Sequence, residues 1–240
     1  MSGQIPGKLP HENYKEFAYR VLRSQIMDLQ LLPGTILNEA AIASRLQVSR
    51  TPVHEAVKQL AKERLIDVRP NLESRVSPID YHLMEESIFA RICIEPALID
   101  QIKGNLSKVE VQSFLENLQR QQSAMEQGDF PAFMNLDGAF HQLIFDCANR
   151  SYTYQMLRKY AAHLDRFRQL LLRCSSQEKM MRRAYGEHRR LFFMMVISLP
   201  AQSAISDLIR DHAASALSDY TVIVQEFPAY FSLPPENKAL

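Results

Sequence analysis

Four polar residues in the second half of the chain, Asp137, His141, His188 and His212, stand where polar groups are costly. Asp137 and His141 are four apart, so a helix carrying them presents both on one face. That face also holds Phe133, Phe140 and Ile144. His188 falls on the stripe Met181, Ala184, Leu191, Met195, and His212 on Ile205, Leu208, Ala216. Buried polar groups need partners. Three imidazoles and a carboxylate aimed inward from three helices would satisfy one another best around a metal. A lone His on an apolar stripe is more often a hydrogen-bonded core residue, so the metal reading rests on the joint arrangement.

A second cluster lies in the run Val48-Ser49-Arg50-Thr51-Pro52-Val53-His54-Glu55-Ala56-Val57. Ser49 can cap a helix, and Pro52 falls in its first turn, where a missing N–H costs nothing. The open N–H groups of such a turn suit a phosphate, so Ser49 and Thr51 fit backbone contacts with DNA. Arg50 and His54 are one turn apart and point the same way. Arginine can hold guanine with two hydrogen bonds whereas histidine makes one, so Arg50 is expected to carry more discrimination. Arg45, Lys58 and Arg69 are weaker phosphate candidates. The alternative is a solvated helical face, since Glu39, Glu55 and Glu63 share the region.

These residues need elements to position them. Phe17, Val21, Leu22, Ile26 and Leu29 recur at helical spacing from about Asn13, and Leu32-Pro33-Gly34-Thr35 ends that helix. A short helix follows Asn38 with Ile42 and Leu46 turned inward, and the Ser49 helix buries Val53, Val57 and Leu60. Leu65 to Val68 and Arg75 to Ser77 read as two strands around the polar loop Arg69 to Ser74. Helix, helix, turn, helix, hairpin is the order of a winged helix-turn-helix.

From about Asp80 every segment has a 3.6-residue period, predicting helices near Tyr81–Lys103, Ser107–Gln127, Phe130–Cys147, Thr153–Cys174, Gln177–Leu199 and Ala201–Glu226. The expected fold is therefore mainly α: three helices and a short β-hairpin, then an all-α antiparallel helical bundle. Its expected divisions are a flexible lead (1–12), a winged helix-turn-helix domain (13–79), an all-helical domain (80–227) and a flexible tail (228–240).

With 240 residues, 46% hydrophobic and 23% charged, the chain can build real cores. Its formal net charge of +1 predicts no nucleic-acid partner by itself, so any such footprint is local. Cys93, Cys147 and Cys174 are odd in number and sit in apolar stretches, which reads as reduced core thiols. Met1 to Pro10 has no signal-peptide core and Leu191 to Leu199 is too short to cross a bilayer, so the expectation is a cytoplasmic protein with no membrane partner.

The string Pro33-Gly34-Thr35-Ile36-Leu37-Asn38-Glu39, then Ala43, Val48 to Val53 and Glu55-Ala56 closely resembles the signature of GntR-family transcription regulators, over about Tyr14 to Ser77. Two positions depart from it. Residue 54, usually Arg in the family, is His, and the wing, where Gly is typical, reads Asn71-Leu72-Glu73-Ser74. From about Leu83 to Gln225 the chain resembles FCD, the all-helical effector domain of the FadR-type branch. The Asp-x-x-x-His motif and two later His of that domain fall on Asp137, His141, His188 and His212, with the last interval about two residues longer than expected and containing Pro200.

The resemblance implies a homodimer on a palindromic double-stranded operator, with a divalent metal in the bundle that a small carboxylate effector reaches. Zn²⁺, Ni²⁺ and Mn²⁺ all suit these ligands. Arg91, on the inner side of its helix with Ile88, Glu95, Leu98 and Ile102, is the candidate effector clamp, against the alternative of an internal Arg91–Glu95 pair. Arg166 and Arg168 are further options, and His163 reads as a helix-surface residue. The Met and Phe density around Leu191 to Met195 suits a core or a dimer interface better than a fatty effector. The implied function is a repressor of a carboxylate or sugar-acid operon. A metal-dependent enzyme using the Asp/His₃ site, or a DNA-binding protein whose bundle only dimerises, are the alternatives.

Overall fold

A computed structural model of the chain describes residues 6–68, 73–171, 177–197, 202–215, 217 and 220–232. In chain order the first elements are α1 (Tyr14–Met27), β1 (Ile36–Leu37), α2 (Glu39–Leu46), α3 (Arg50–Lys62), β2 (Ile66–Asp67), β3 (Ser74–Val76) and β4 (Ile79–Asp80). Next come α4 (Tyr81–Ile102), α5 (Lys108–Glu126), α6 (Phe130–Cys147), α7 (Ser151–Tyr160) and α8 (Ala162–Leu171). The chain continues through α9 (Gln177–Ile197), α10 (Gln202–Ser215), α11 (Tyr220–Glu226), a 3-10 turn (Pro228–Tyr230) and β5 (Phe231–Ser232). Two compact units result. One takes in Met1–Met84, Tyr160–Gln169 and Ile223–Leu240, the other Glu85–Lys159 and Leu170–Val222.

In the first unit Asn13 and Glu16 close a reciprocal capping box that starts α1. Phe17, Val21, Leu22 and Ile26 of α1 then pack with Val53, Ala56, Val57 and Leu60 of α3 in one apolar cluster. The turn between α2 and α3 depends on Gln47, whose φ of 55° is the left-handed conformation that ends a helix sharply. The resulting helix pair buries its apolar stripe and leaves Arg50, His54 and Lys58, spaced at four, on the exposed side of α3. Strands β1, β3 and β2 form an antiparallel sheet in that order, with Leu37 opposite Ser74 and Ile66 opposite Val76.

The second unit is helical. Asp129 accepts from the Ala132 N–H and Pro131 occupies the first turn, so α6 begins at Phe130 and its register is set. Packed on α5 and α9, α6 shares a core of Phe114, Leu118, Phe140, Ile144, Leu191 and Met195, completed by Ile205 and Ile209 of α10. Among the described residues no helix is long and apolar enough to cross a membrane.

Several expectations change. The wing is a three-stranded sheet, because two residues, Ile36 and Leu37, suffice to pair with β3 but are too few to show a strand period. The helix expected over Thr153–Cys174 is two, α7 and α8, broken at Ala161, and that expected over Ala201–Glu226 is α10 and α11. The part of the expected lead that is described is tied down: Arg20 binds the Glu12 carboxylate and the Gly7 carbonyl. The start of the expected tail is likewise ordered, with β5 pairing in parallel with β4. Nor is the linear division at residue 79/80 followed, since residues 160–169, most of α8, join the first unit. Cys93 is exposed and Cys147 half-buried, so neither is a fully buried core thiol. Arg69, Asn71, Leu72, Cys174 and Pro200 lie outside the described residues.

Candidate metal centre and nucleic-acid interface

Within the helical unit, α6 supplies Asp137 and His141, α9 supplies His188 and α10 supplies His212. All four are at most 5% exposed, and one ligand atom from each lies within 4.8 Å of all the others. His141 Nε2 is 3.1 Å from His212 Nε2 and 3.3 Å from His188 Nε2. Asp137 Oδ1 is 3.5 Å from His188 Nε2. A cation about 2.1 Å from each imidazole nitrogen would hold neighbouring nitrogens about 3.0–3.4 Å apart, so the spacing fits one ion.

The outward nitrogens explain why the inward ones converge. His188 Nδ1 donates to Gln121 Oε1 at 2.8 Å. Gln121 is itself oriented by donating from Nε2 to Asn117 Oδ1, and Asn117 donates to the Leu136 carbonyl. His212 Nδ1 donates to Glu187 Oε2 at 2.8 Å. These bonds commit Nδ1 of both rings outward and leave each Nε2 facing the other imidazoles, an arrangement that a cation would stabilise. Phe140 stacks on His188 with centroids 4.3 Å apart and fixes that ring's plane.

His141 is held differently. Its Nδ1 lies 3.1 Å from Glu95 Oε2, an electrostatic contact rather than a well-directed hydrogen bond, since that oxygen has no hydrogen-bond partner. Arg91 Nη2 sits 2.7 Å from His141 Nε2, while Arg91 Nε donates to Glu95 Oε1 at 2.8 Å. The expected Arg91–Glu95 pair is therefore formed, and it also brings Arg91 to the centre. Burial, reinforced by the Arg91 charge, pushes His141 down to about 4. Burial and the neighbouring His212 lower His188 well below the ordinary value, so both rings are neutral ligands at neutral pH. Burial works to raise Glu95, but Arg91 and His141 outweigh it and hold the carboxyl well below the usual range. Carboxylates from Asp137, Glu95 and Glu187 thus outnumber the Arg91 guanidinium around the rings, which favours a cation over an anion among them.

Arg166 and Arg168, the other effector options, belong to the first unit, whereas the four clustered residues belong to the second. Arg166 is fully buried and donates to the Ser77 carbonyl. Burial lowers it to about 10. His163 is buried rather than on a helix surface: Nδ1 accepts from the Asp80 N–H at 3.0 Å and Nε2 donates to the Arg64 carbonyl at 3.1 Å. Asn117 and Gln121, i and i+4 on the α5 stripe with Phe114 and Leu118, are inward polar groups that helical spacing alone does not mark as partners of a histidine. Glu187 carries no sequence signal beyond its place beside His188.

Comparison with known proteins agrees with both halves. The gntR family of bacterial regulatory proteins matches residues 14–76 and the FCD domain matches residues 86–196. The HTH-type transcriptional repressor RspR of Escherichia coli (strain K12) is 31% identical over 159 residues, covering 66% of this chain and 70% of that protein. The chain belongs to the GntR family. It is a DNA-binding transcriptional regulator of the GntR/FCD type, and the family is one of regulators rather than enzymes. The gluconate operon transcriptional repressor of Bacillus subtilis (strain 168) is 26% identical over 162 residues, 66% of this chain and 65% of that protein. The solved structure of E. coli McbR/YncC shares the fold, with TM-score 0.64 and 19% identity over 90% of this chain and 99% of that one.

In this GntR regulator the candidate DNA contacts gather on α3 and the end of α2. Ser49 is the N-cap of α3 and makes no side-chain capping bond, so its hydroxyl is not committed to the helix. Ser49, Arg50, Thr51, His54, Lys58 and, at the end of α2, Arg45 are all exposed. Lys58 Nζ contacts Glu55 at 3.2 Å, and His54 Nδ1 lies 3.2 Å from Glu39 Oε2. That last pair joins two residues fifteen apart in sequence, beyond what helical spacing specifies.

Proposed function

We propose that this GntR/FCD regulator is a cytoplasmic, homodimeric repressor that binds a palindromic operator and senses a small organic acid at a divalent metal. Asp137, His141, His188 and His212 hold the ion, which is Zn²⁺, Ni²⁺ or Mn²⁺ by ligand type. The observation that carries this is the convergence of three Nε2 atoms, 3.1 and 3.3 Å apart along two of the pairs, with the outward nitrogens of His188 and His212 already bonded. A bound divalent ion supplies a Lewis-acidic position for an effector carboxylate. Arg91, anchored through Nε by Glu95, offers its guanidinium to the same carboxylate. On the DNA side, Arg50 reads a base edge with His54 beside it, while Ser49, Thr51, Arg45, Lys58 and Arg69 take phosphates.

Effector binding shifts the bundle and thereby changes operator affinity, a coupling expected to be about 5- to 150-fold. Metal analysis of the purified protein and of His188→Ala, followed by operator titration with candidate acids, tests the reading. Metal in the parent, loss of it in the variant, and acid-dependent release in the parent alone are expected. No metal in either protein and no response to acids would instead leave a bundle that only dimerises.

A further inference from the structure

The recognition helix carries a histidine with a fixed partner. Glu39, the first residue of α2, places both carboxylate oxygens near His54 Nδ1, at 3.3 Å and 3.2 Å. Half of the His54 side chain is exposed, at 51%, against 28% for Glu39, so the carboxylate lies deeper and the ring stands out from it. When the ring is neutral its one proton lies on Nδ1, because an ionised carboxylate only accepts hydrogen bonds. Nε2, on the opposite edge of the ring, then carries a lone pair and no proton. No described residue is hydrogen-bonded to it.

We infer that Glu39 makes His54 a base-edge acceptor, so that this regulator selects cytosine or adenine where an arginine at the same position would select guanine. The reason lies in the major groove. Cytosine N4 and adenine N6 are amino donors, whereas guanine presents N7 and O6, both acceptors, and thymine O4 is an acceptor too. A lone pair on Nε2 meets a partner in the first two and an opposing lone pair in the others. Glu39 is the positioning residue. It touches no base, yet it decides which nitrogen of His54 faces the groove. Beside it, Arg50 has only donors and keeps its preference for guanine.

This inference rests on the proposal that α3 enters the groove, and selection of binding sites from a randomised duplex pool separates the two. The full-length protein, His54→Arg, Glu39→Ala and Arg50→Ala would each be used. The parent should enrich one site in which a single base pair per half-site shows cytosine or adenine over guanine by about tenfold. His54→Arg should convert that position, and no other, to guanine. Glu39→Ala, with the ring released, should keep overall affinity within a few fold while the preference at that position shrinks. Guanine enriched there by the parent, or a position unmoved by His54→Arg, overturns the inference and leaves α3 as the reading helix. Failure of the parent to enrich any site, or indifference to Arg50→Ala, overturns the placement of α3 itself.

Discussion

Both units of this regulator bury histidine, and they treat it in opposite ways. In the reading head, His163 has both ring nitrogens engaged by main-chain groups, Asp80 N–H on one side and the Arg64 carbonyl on the other. Nothing is left for a ligand. In the bundle, His188 and His212 have only their outward nitrogens satisfied, by Gln121 and Glu187, and their inward nitrogens face other imidazoles. Burial is nearly the same, 3% exposed for His163 against 0% for His188 and 5% for His212. Partnership, and not depth, is what distinguishes a structural imidazole from one poised to bind.

The largest test of this contrast is Phe140→Ala. Phe140 is fully buried and stacks on His188, so its loss should cost about 3–5 kcal/mol of stability. Chemical denaturation checks the magnitude, and metal binding should weaken along with it because the ring loses its backing. A variant that retained full stability would mean that the bundle core does not depend on the site.

Next in size is the acid response of the head. Burial, with the positive charge of Arg166 adding to it, lowers His163 to about 4. The unfolded chain takes up this proton near its ordinary value of about 6.5 and the folded chain does not, so stability falls as pH drops through that window. The loss from His163 is about 3 kcal/mol once pH is below both values. His163→Gln keeps a carbonyl and an amide for the same two partners and should flatten the slope between about pH 6.5 and 4. Unfolding free energies measured across that range would show it, and an unchanged slope would contradict the assignment. His141 and His188, lowered for the same principal reason, add to the parent's acid sensitivity and remain in the variant.

The smallest effect is expected from the residues behind the ligands. Gln121→Ala and Glu187→Ala each remove the group that aims one imidazole, and should weaken metal affinity by about 10- to 100-fold. Isothermal titration reads this directly. The same substitutions should leave operator binding in the absence of acid unchanged, since they touch the bundle alone. Equal loss of both activities would mean that they disturb the fold.

The parts of this molecule legible in the sequence are those written in local periodicity. Helix α6 spans Phe130–Cys147, the range its 3.6-residue period predicts, which is why spacing alone pairs Asp137 and His141 on one face. His188 and His212 were legible as polar residues on apolar stripes. The turn into α3 was legible because the run from Val48 to Val57 combines a cap, a first-turn proline and an apolar stripe. What local periodicity does not carry is either short or long-range. A two-residue strand such as Ile36–Leu37 has no period to detect, and the break at Ala161 carries no glycine or proline to announce it.

By itself, then, the sequence determined the residue types and their helical faces: a capped helix with Arg50, His54 and Lys58 on one side, and four inward polar residues on three helices. Tertiary structure alone decided which nitrogen of each ring is occupied. Gln121 on α5 meets His188 on α9 across 67 residues of sequence, Glu187 on α9 meets His212 on α10, and Glu39 meets His54 across the helix-turn-helix. A hydrogen bond lasts only over about 3 Å, so the partner that fixes a tautomer is chosen by how helices pack. Spacing along the chain cannot specify that.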